Sequence, residues 1–366
     1  MENSNNLILT TPIQQRHLAE YHLYSEQEIG CLSSPLLPFT GESNKGSALS
    51  FKKSAPSNTS PFLQVSTKEH LTKFFRDEKN EPLALWQSLE RLRDSLFLSI
   101  QEKASNLSIN FDANQPMAGL LFIKVQEGNS LNLDISYDSQ SPSSFLLFLD
   151  VKQNASVNIT TKDDVNNAQE NFLYINAKLN HSAEFNFFSY KKSRQRSLQH
   201  IQVELGDKAV ANTHELVNSN NSSNMDSHII YLHRGRETLG NQNVLQLIGK
   251  KSTAAFTGKI EVSENALSTE SYQLCNSILL SDDGKACHRP QLEIENKEVK
   301  CSHGATSGKL DENALFYLQS RGFSKSQAEK LLISAKVEEF ISQSKLASSL
   351  PWLIDYLKEQ DMGLYE

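Results

Sequence analysis

Gly128-Asn129-Ser130-Leu131-Asn132-Leu133-Asp134-Ile135 decides how the middle of this chain is read. A polar, turn-forming triplet leads into a run in which Leu131, Leu133 and Ile135 alternate with Asn132 and Asp134. Alternation of period two marks a strand with one buried face. The arrangement recurs. Gln153-Asn154-Ala155 precedes Val157 and Ile159, Asn180-His181-Ser182 precedes Phe185 and Phe187, and Leu205-Gly206-Asp207 follows Val203. Counted at Asn129, Asn154, His181 and Gly206, the turns fall 25, 27 and 25 residues apart.

A repeat of that length, built of short strands and polar turns, points to a stacked solenoid in which each coil covers the apolar face of the next. Asn and Gly at the corners suit the left-handed backbone that sharp turns need. An antiparallel sandwich also has short strands and regular turns, but its strands typically recur every ~8–12 residues, well below this step. The fold class expected is mainly β, a right-handed parallel β-helix over residues 106–305, flanked by N-terminal and C-terminal helical regions.

Residues 1–105 read as helical and broken. Within them 43–61, rich in Ser, Asn, Lys and Pro, reads as a flexible linker. Leu83, Leu85, Trp86, Leu89, Leu92, Leu96 and Ile100 recur at helical spacing and predict an amphipathic helix. Residues 306–366 return to the helical period. Asp311 is a candidate N-cap, Arg321-Gly322 a stop, and Ser324 with Gln327 a capping box. Pro351 opens a third helix carrying Trp352, Leu353, Tyr356 and Leu357.

The apolar fraction of 38% is low for a compact globule and suits an elongated fold with many wet turns. A net charge of −7 argues against nucleic acid as a partner, because phosphate contacts need a basic face. Residues 1–30 contain no apolar signal segment, and no run approaches the ~18 apolar residues of a membrane span. Cys31, Cys275, Cys287 and Cys301 form no CxxC pair. A cytoplasmic chain with free thiols and no membrane contact is therefore expected.

Residues 254–335 carry AAFTGKIEV (254–262), NSILLSDDGKACHRPQLEI (276–294), VKCSHGATSGKLDENALFYLQSRGF (299–323) and AEKLL (328–332). These segments, the KCSHGAT run from Lys300 to Thr306 above all, resemble the SufB/SufD family of iron–sulfur assembly proteins, on its SufD-like side. The chain departs from the SufD-like pattern at Lys297-Glu298, where an Asp pair is common.

The resemblance implies a scaffold and not an enzyme, paired with a SufB-like chain through the C-terminal ends of the two β-helices. It implies a SufC-like ABC ATPase docked on the helical domain, here through Leu315, Phe316, Leu331, Leu332 and Phe340. The sequence has no GxxxxGK[ST] stretch of its own, consistent with ATP hydrolysis in that partner. Alone, the chain can pair with itself through the same end. No cofactor is expected to be tightly bound. Iron, or a nascent iron–sulfur cluster, would be held transiently at the interface of the complex.

Three residues are candidate iron ligands: His303, Cys301 and Cys275. On one strand Val299, Cys301 and His303 share a face. Val299 is expected to point inward, which packs Cys301 beside it, so core thiol and ligand are both open for Cys301. His303 ends the series before Gly304. An isolated histidine there reads as a hydrogen-bonded residue at the core's edge, and the resemblance turns it toward iron. A neutral imidazole binds iron without the oxidation to which a thiolate is exposed. Cys275 falls near the cluster-building cysteine of SufB-like chains, a position that need not be Cys in SufD-like ones. Cys287 and His288 are adjacent, face opposite sides, and leave Cys287 for the core.

A β-helical carbohydrate-active enzyme is the alternative function. It would need acids clustered on one coil face. Asp163-Asp164 and Asp282-Asp283 are the candidates, and both read as solvated turn carboxylates. A purely structural subunit without metal contact is the third reading.

Overall fold

The structure, a computed structural model, describes residues 49–53, 62–66, 94–101, 103–111, 117–137, 143–165, 170–193, 195–350 and 353. Its strands in chain order begin with β1 (Leu49–Lys53), β2 (Phe62–Ser66), β3 (Asp94–Ile100), β4 (Ala104–Phe111), β5 (Met117–Val125) and β6 (Ser130–Tyr137). They continue with β7 (Ser143–Val151), β8 (Ser156–Val165), β9 (Glu170–Leu179), β10 (Glu184–Ser193), β11 (Arg196–Leu205) and β12 (Val210–Ser219). The last six are β13 (Asn224–His233), β14 (Leu239–Ile248), β15 (Thr253–Val262), β16 (Thr269–Leu279), β17 (Lys285–Ile294) and β18 (Val299–Gly308).

From β4 onward the chain alternates between two facing sheets. The even strands stack as β1-β4-β6-β8-β10-β12-β14-β16-β18, the odd ones as β17-β15-β13-β11-β9-β7-β5-β3-β2. Pairing is parallel throughout, except that β1 meets β4 and β2 meets β3 in antiparallel fashion. The result is a parallel β-solenoid of about seven turns. Its two ends differ: at the N-terminal end the five-residue antiparallel strands β1 and β2 are added beyond β4 and β3, whereas the C-terminal end stops at the ten-residue parallel strands β17 and β18. All four terminal strands pair on one side only among the described residues.

Strand parity follows the sequence. Leu131, Leu133 and Ile135 are buried between the sheets with Val157, Ile159, Phe185, Phe187 and Val203. Asn132 and Asp134 face water. The corners stack too. Gly128, Asn154, Ser182, Lys208, Glu237 and Ser268 all take positive φ. Each donates its backbone N–H to the next coil, from Asn154 to the His181 carbonyl at 3.0 Å and from Lys208 to the Arg236 carbonyl at 2.7 Å, for example. Gly and Asn hold only two of these six corners. Elsewhere this inter-coil bond stabilises a Ser, Lys or Glu in a left-handed conformation that costs roughly 1–2 kcal/mol.

On the outer face of the even sheet, Asn106, Asn132, Asn158, Asn186, Asn212 and Asn241 form a ladder. Each amide donates to the oxygen of the preceding one at 2.8–3.0 Å. Six amides in one register satisfy one another and pin the stacking of coils.

The flanks depart from expectation. The described parts of residues 1–105 are strands, not helices. Leu96 and Ile100 lie on β3, which pairs in parallel with β5 through residues 96–100. Leu98 and Ile100 are buried there, so the addition of a coil overrides a helical spacing of leucines. The linker reading of 43–61 fails at β1. The rest of the helix from Leu83 to Leu92, and Cys31, lie outside the described residues.

Two helices follow the solenoid: α1 (Glu312–Ser320), capped by Asp311, and α2 (Lys325–Ser342), opened by the Ser324/Gln327 capping box. Gly322, at φ 98°, makes the turn between them. Ile333, Val337, Phe340 and Ile341 of α2 pack onto Phe188, Tyr190, Leu216 and Leu245 on the outside of the even sheet. The apolar stripe of α2 thus closes on the solenoid wall. Of the third helix only Leu353, buried in the same cluster, is described.

Candidate metal site at the open end of the solenoid

β18 is the last strand of its sheet, and its inner-facing positions are Val299, Cys301, His303 and Ala305. They continue columns set by β16: Ser271 lies under Cys301, Gln273 under His303 and Cys275 under Ala305. The three candidate ligands therefore belong to one inner face at one end. They differ sharply in access.

Cys301 is half-buried, packed with Val299 and Leu292 against Ile260, Val262 and Ala266. Burial pushes its thiol above the usual range, with a backbone hydrogen bond at Ser271 opposing. Cys275 is fully buried. Its thiol is pushed far up by burial, further by the Glu215 charge, and eased only by a hydrogen bond with Ser277. Both are thiols, and a metal binds the thiolate. His303 alone is exposed. Among the described residues no three His, Cys, Asp or Glu side chains are grouped to hold an ion.

His288 and Cys287 of β17 do face opposite sides, but in the reverse sense to that expected. Ala286 packs inward beneath Ala254, and His288 two residues on also points in, which leaves Cys287 exposed. Ser277 Oγ donates to Gln246 Oε1 at 2.8 Å and lies 2.7 Å from His288 Nε2, which must then donate to it. Burial lowers the His288 pKa, so its ring is neutral.

Below this end the interior turns polar. Lys191 Nζ and a Glu215 carboxylate oxygen pair in the core, and Ser227 Oγ accepts from Lys191 at 2.8 Å while donating to Glu215 at 2.6 Å. Strand parity marks both residues as inward, four residues beyond Phe187 and four beyond Ala211; it is the rarity of a buried charge that hides them from a sequence reading. Asp163 is a second such case. It is buried on β8, not solvated in a turn, and accepts from Asn171 Nδ2 at 2.6 Å. Asp282 and Asp283 are exposed turn residues, with Asp282 paired to Lys309 at 2.5 Å.

Of the five expected docking residues, Phe316 and Leu331 are exposed and Leu315 and Leu332 half-buried. Phe340 is turned into the core, 5.5 Å from the His214 ring, and offers no docking surface. Tyr317 and Phe323, missed from sequence, join Phe316 and Leu331 as exposed apolar groups. None of the described helices is long and apolar enough to cross a membrane.

The architecture is that of a β-solenoid open at one end, with a histidine and two withheld thiols at its mouth. Residues 109–336 match the family described as SUF system FeS cluster assembly, SufBD core domain. That is well over half of the chain, which therefore belongs to the SufBD family. Relatives include the iron–sulfur cluster assembly protein SufD of Escherichia coli, 38% identical over 93 residues, 25% of this chain and 22% of the relative. An iron–sulfur cluster assembly SufBD family protein of Synechocystis is 38% identical over 102 residues, 28% of this chain and 22% of the relative. A chloroplastic SufBD family protein of Arabidopsis thaliana is 26% identical over 129 residues, 35% of this chain and 23% of the relative. In each case the match spans less than a quarter of the relative's length.

Proposed function

We propose that this chain is a non-catalytic scaffold subunit of a cytoplasmic SUF-type complex that builds iron–sulfur clusters. Its open end joins a SufB-like chain, and a SufC-like ATPase docks on the helices around Phe316 and Leu331. His303 receives iron or a nascent cluster at the joint, with Cys301 available once its packing opens. The observation that carries this reading is the position of His303: an exposed imidazole on the inner face of the terminal strand.

Two physical arguments support it. The outer edges of β17 and β18 present backbone N–H and C=O groups along ten-residue strands that another strand can satisfy, whereas the edges of β1 and β2 at the other end are only five residues long. Exposed Ile294 on β17 and Tyr272 and Leu274 on β16 add apolar area near that edge. The withheld thiols suit a site assembled only in the complex, because a protonated, packed cysteine neither oxidises nor binds metal early.

The test is anaerobic co-expression with SufB-like and SufC-like partners, comparing wild type with His303→Ala. An intact complex that loses its visible iron–sulfur absorption supports His303 as a ligand. An intact complex with unchanged absorption reduces the chain to architecture, and no complex at all removes the partnership.

A further inference from the structure

Gln273 lies directly beneath His303 in the same inner column, on strands that neighbour one another at about 4.8 Å. Its side chain is almost completely buried. The orientation of its amide is dictated from below. The Lys259 backbone carbonyl can only accept, so Gln242 must turn its Nε2 toward it, at 3.2 Å, and keep its oxygen for the other side. That oxygen accepts from Gln273 Nε2 at 3.0 Å. Gln273 Oε1 is what remains. It is buried and has no hydrogen-bond partner among the described residues.

The seat of this amide is built for it. A Cβ on residue 258 would stand 1.3 Å from Gln273 Nε2, so the amide sits where it does because Gly258 has no side chain. A buried carbonyl oxygen without a partner is unfavourable, and nearly all such groups in native structures have one. The residue above it in the column, His303, carries a ring N–H donor and is the exposed end of the series.

We infer that Gln273 is a positioning residue for His303: its Oε1 accepts one imidazole N–H, selects the tautomer, and leaves the other nitrogen with a bare lone pair facing the open end. Ligating histidines generally have such an acceptor behind them, which orients the ring and raises its basicity. The inference deepens the reading of His303 as an iron ligand and rests on it for its purpose. The Lys259–Gln242–Gln273 relay then ties the ring's orientation to the backbone of β15.

The experiment uses the full chain labelled with 15N-histidine, metal-free and anaerobic, with His303 assigned by its loss in His303→Asn. Wild type is expected to show His303 as a single tautomer. Gln273→Met, which keeps the volume but removes the acceptor, is expected to give a mixture of both. Gln273→Glu, whose buried carboxyl keeps its proton to donate to Gln242 Oε1 and offers its other oxygen to the ring, is expected to restore the single form. Fe(II) titration of the same proteins is expected to show affinity falling about 10–100-fold in Gln273→Met and recovering in Gln273→Glu. A merely packing role would not distinguish Met from Glu in this way. The same tautomer ratio in wild type and Gln273→Met overturns the inference, even if His303→Asn abolishes Fe(II) binding and so leaves the ligand reading intact. A shift in tautomer with Fe(II) binding indifferent to His303 upholds the hydrogen bond and overturns the ligand reading instead.

Discussion

Lys191 and Glu215 form an ion pair in the solenoid interior with side-chain exposures of 3% and 0%. They sit on adjacent strands, in a core that Phe185 and Phe187 fill further along the strand of Lys191 and Ile159 fills one coil earlier. Their charges are shielded from water and held by each other and by Ser227. Such a pair contributes little relative to a well-packed apolar replacement, yet the loss of one partner strands the other charge.

Lys191→Met is therefore expected to destabilise the chain by about 3–5 kcal/mol. The double change Lys191→Met with Glu215→Gln is expected to recover most of that loss. Urea unfolding of the two variants beside wild type checks it. A double variant as unstable as the single one would mean that packing, not charge, dominates at this site.

The asparagine ladder predicts a gradient of cost. Asn186 is buried and serves as donor to Asn158 and acceptor for Asn212, so Asn186→Ala is expected to cost about 1–3 kcal/mol. Asn132 is exposed, and water replaces its bonds, so Asn132→Ala is expected to cost under about 1 kcal/mol. Thermal unfolding of both variants measures the difference.

Acid should destabilise the fold through buried histidines. Burial depresses the pKa of His214 to about 4, and that of His233 to about 4 with the Arg234 charge adding to it. Above the ordinary value of about 6.5 both states are neutral and the folded chain carries no penalty. As pH falls from there toward 4, the unfolded chain takes up protons that the folded one refuses. Stability is thus present near neutrality and lost on acidification, by roughly 3 kcal/mol per group at pH 4. His214→Gln is expected to flatten the dependence of the urea midpoint on pH between about 6.5 and 4.

Thiol reactivity should follow access. Cys287 is exposed, Cys301 half-buried and Cys275 enclosed with a raised pKa. Alkylation with iodoacetamide under native conditions, read by peptide mass spectrometry, is expected to modify Cys287 first and Cys301 slowly. Cys275 should react only after unfolding. Early labelling of Cys275 would contradict its placement between the sheets.

The helices should separate anchoring from docking. Phe340→Ala removes a ring packed on Phe188 and His214, and is expected to cost about 3–5 kcal/mol. Phe316, 73% exposed, anchors nothing. Phe316→Ala should change stability by less than about 0.5 kcal/mol while weakening capture of a SufC-like partner. Unchanged capture would remove this surface from the docking role.

Much of this was readable from residue patterns. Leu131, Leu133 and Ile135 announce a strand face, the 25–27-residue step announces coils, and Asp311, Gly322, Ser324 and Gln327 mark the helix ends. The candidate site was legible only as a set of residue types. Reading Leu96 and Ile100 as helix failed because a four-residue spacing is compatible with period two as well as with a helical turn, and one strand runs through both. Assigning Cys287 to the core failed because parity on β17 depends on which residue stacks under Ala254.

By itself the sequence determined what is local: period-two strands, turn positions, caps and the KCSHGAT segment. These depend on backbone geometry within a few residues, so spacing suffices to read them. Tertiary structure alone decided which end of the solenoid stays open, that Lys191 meets Glu215, and that Gln273 underlies His303. Those outcomes depend on cross-strand register. Successive coils differ in length as their corners and loops differ, so residues about thirty positions apart come into contact only when the stacking of whole coils sets which column each one joins.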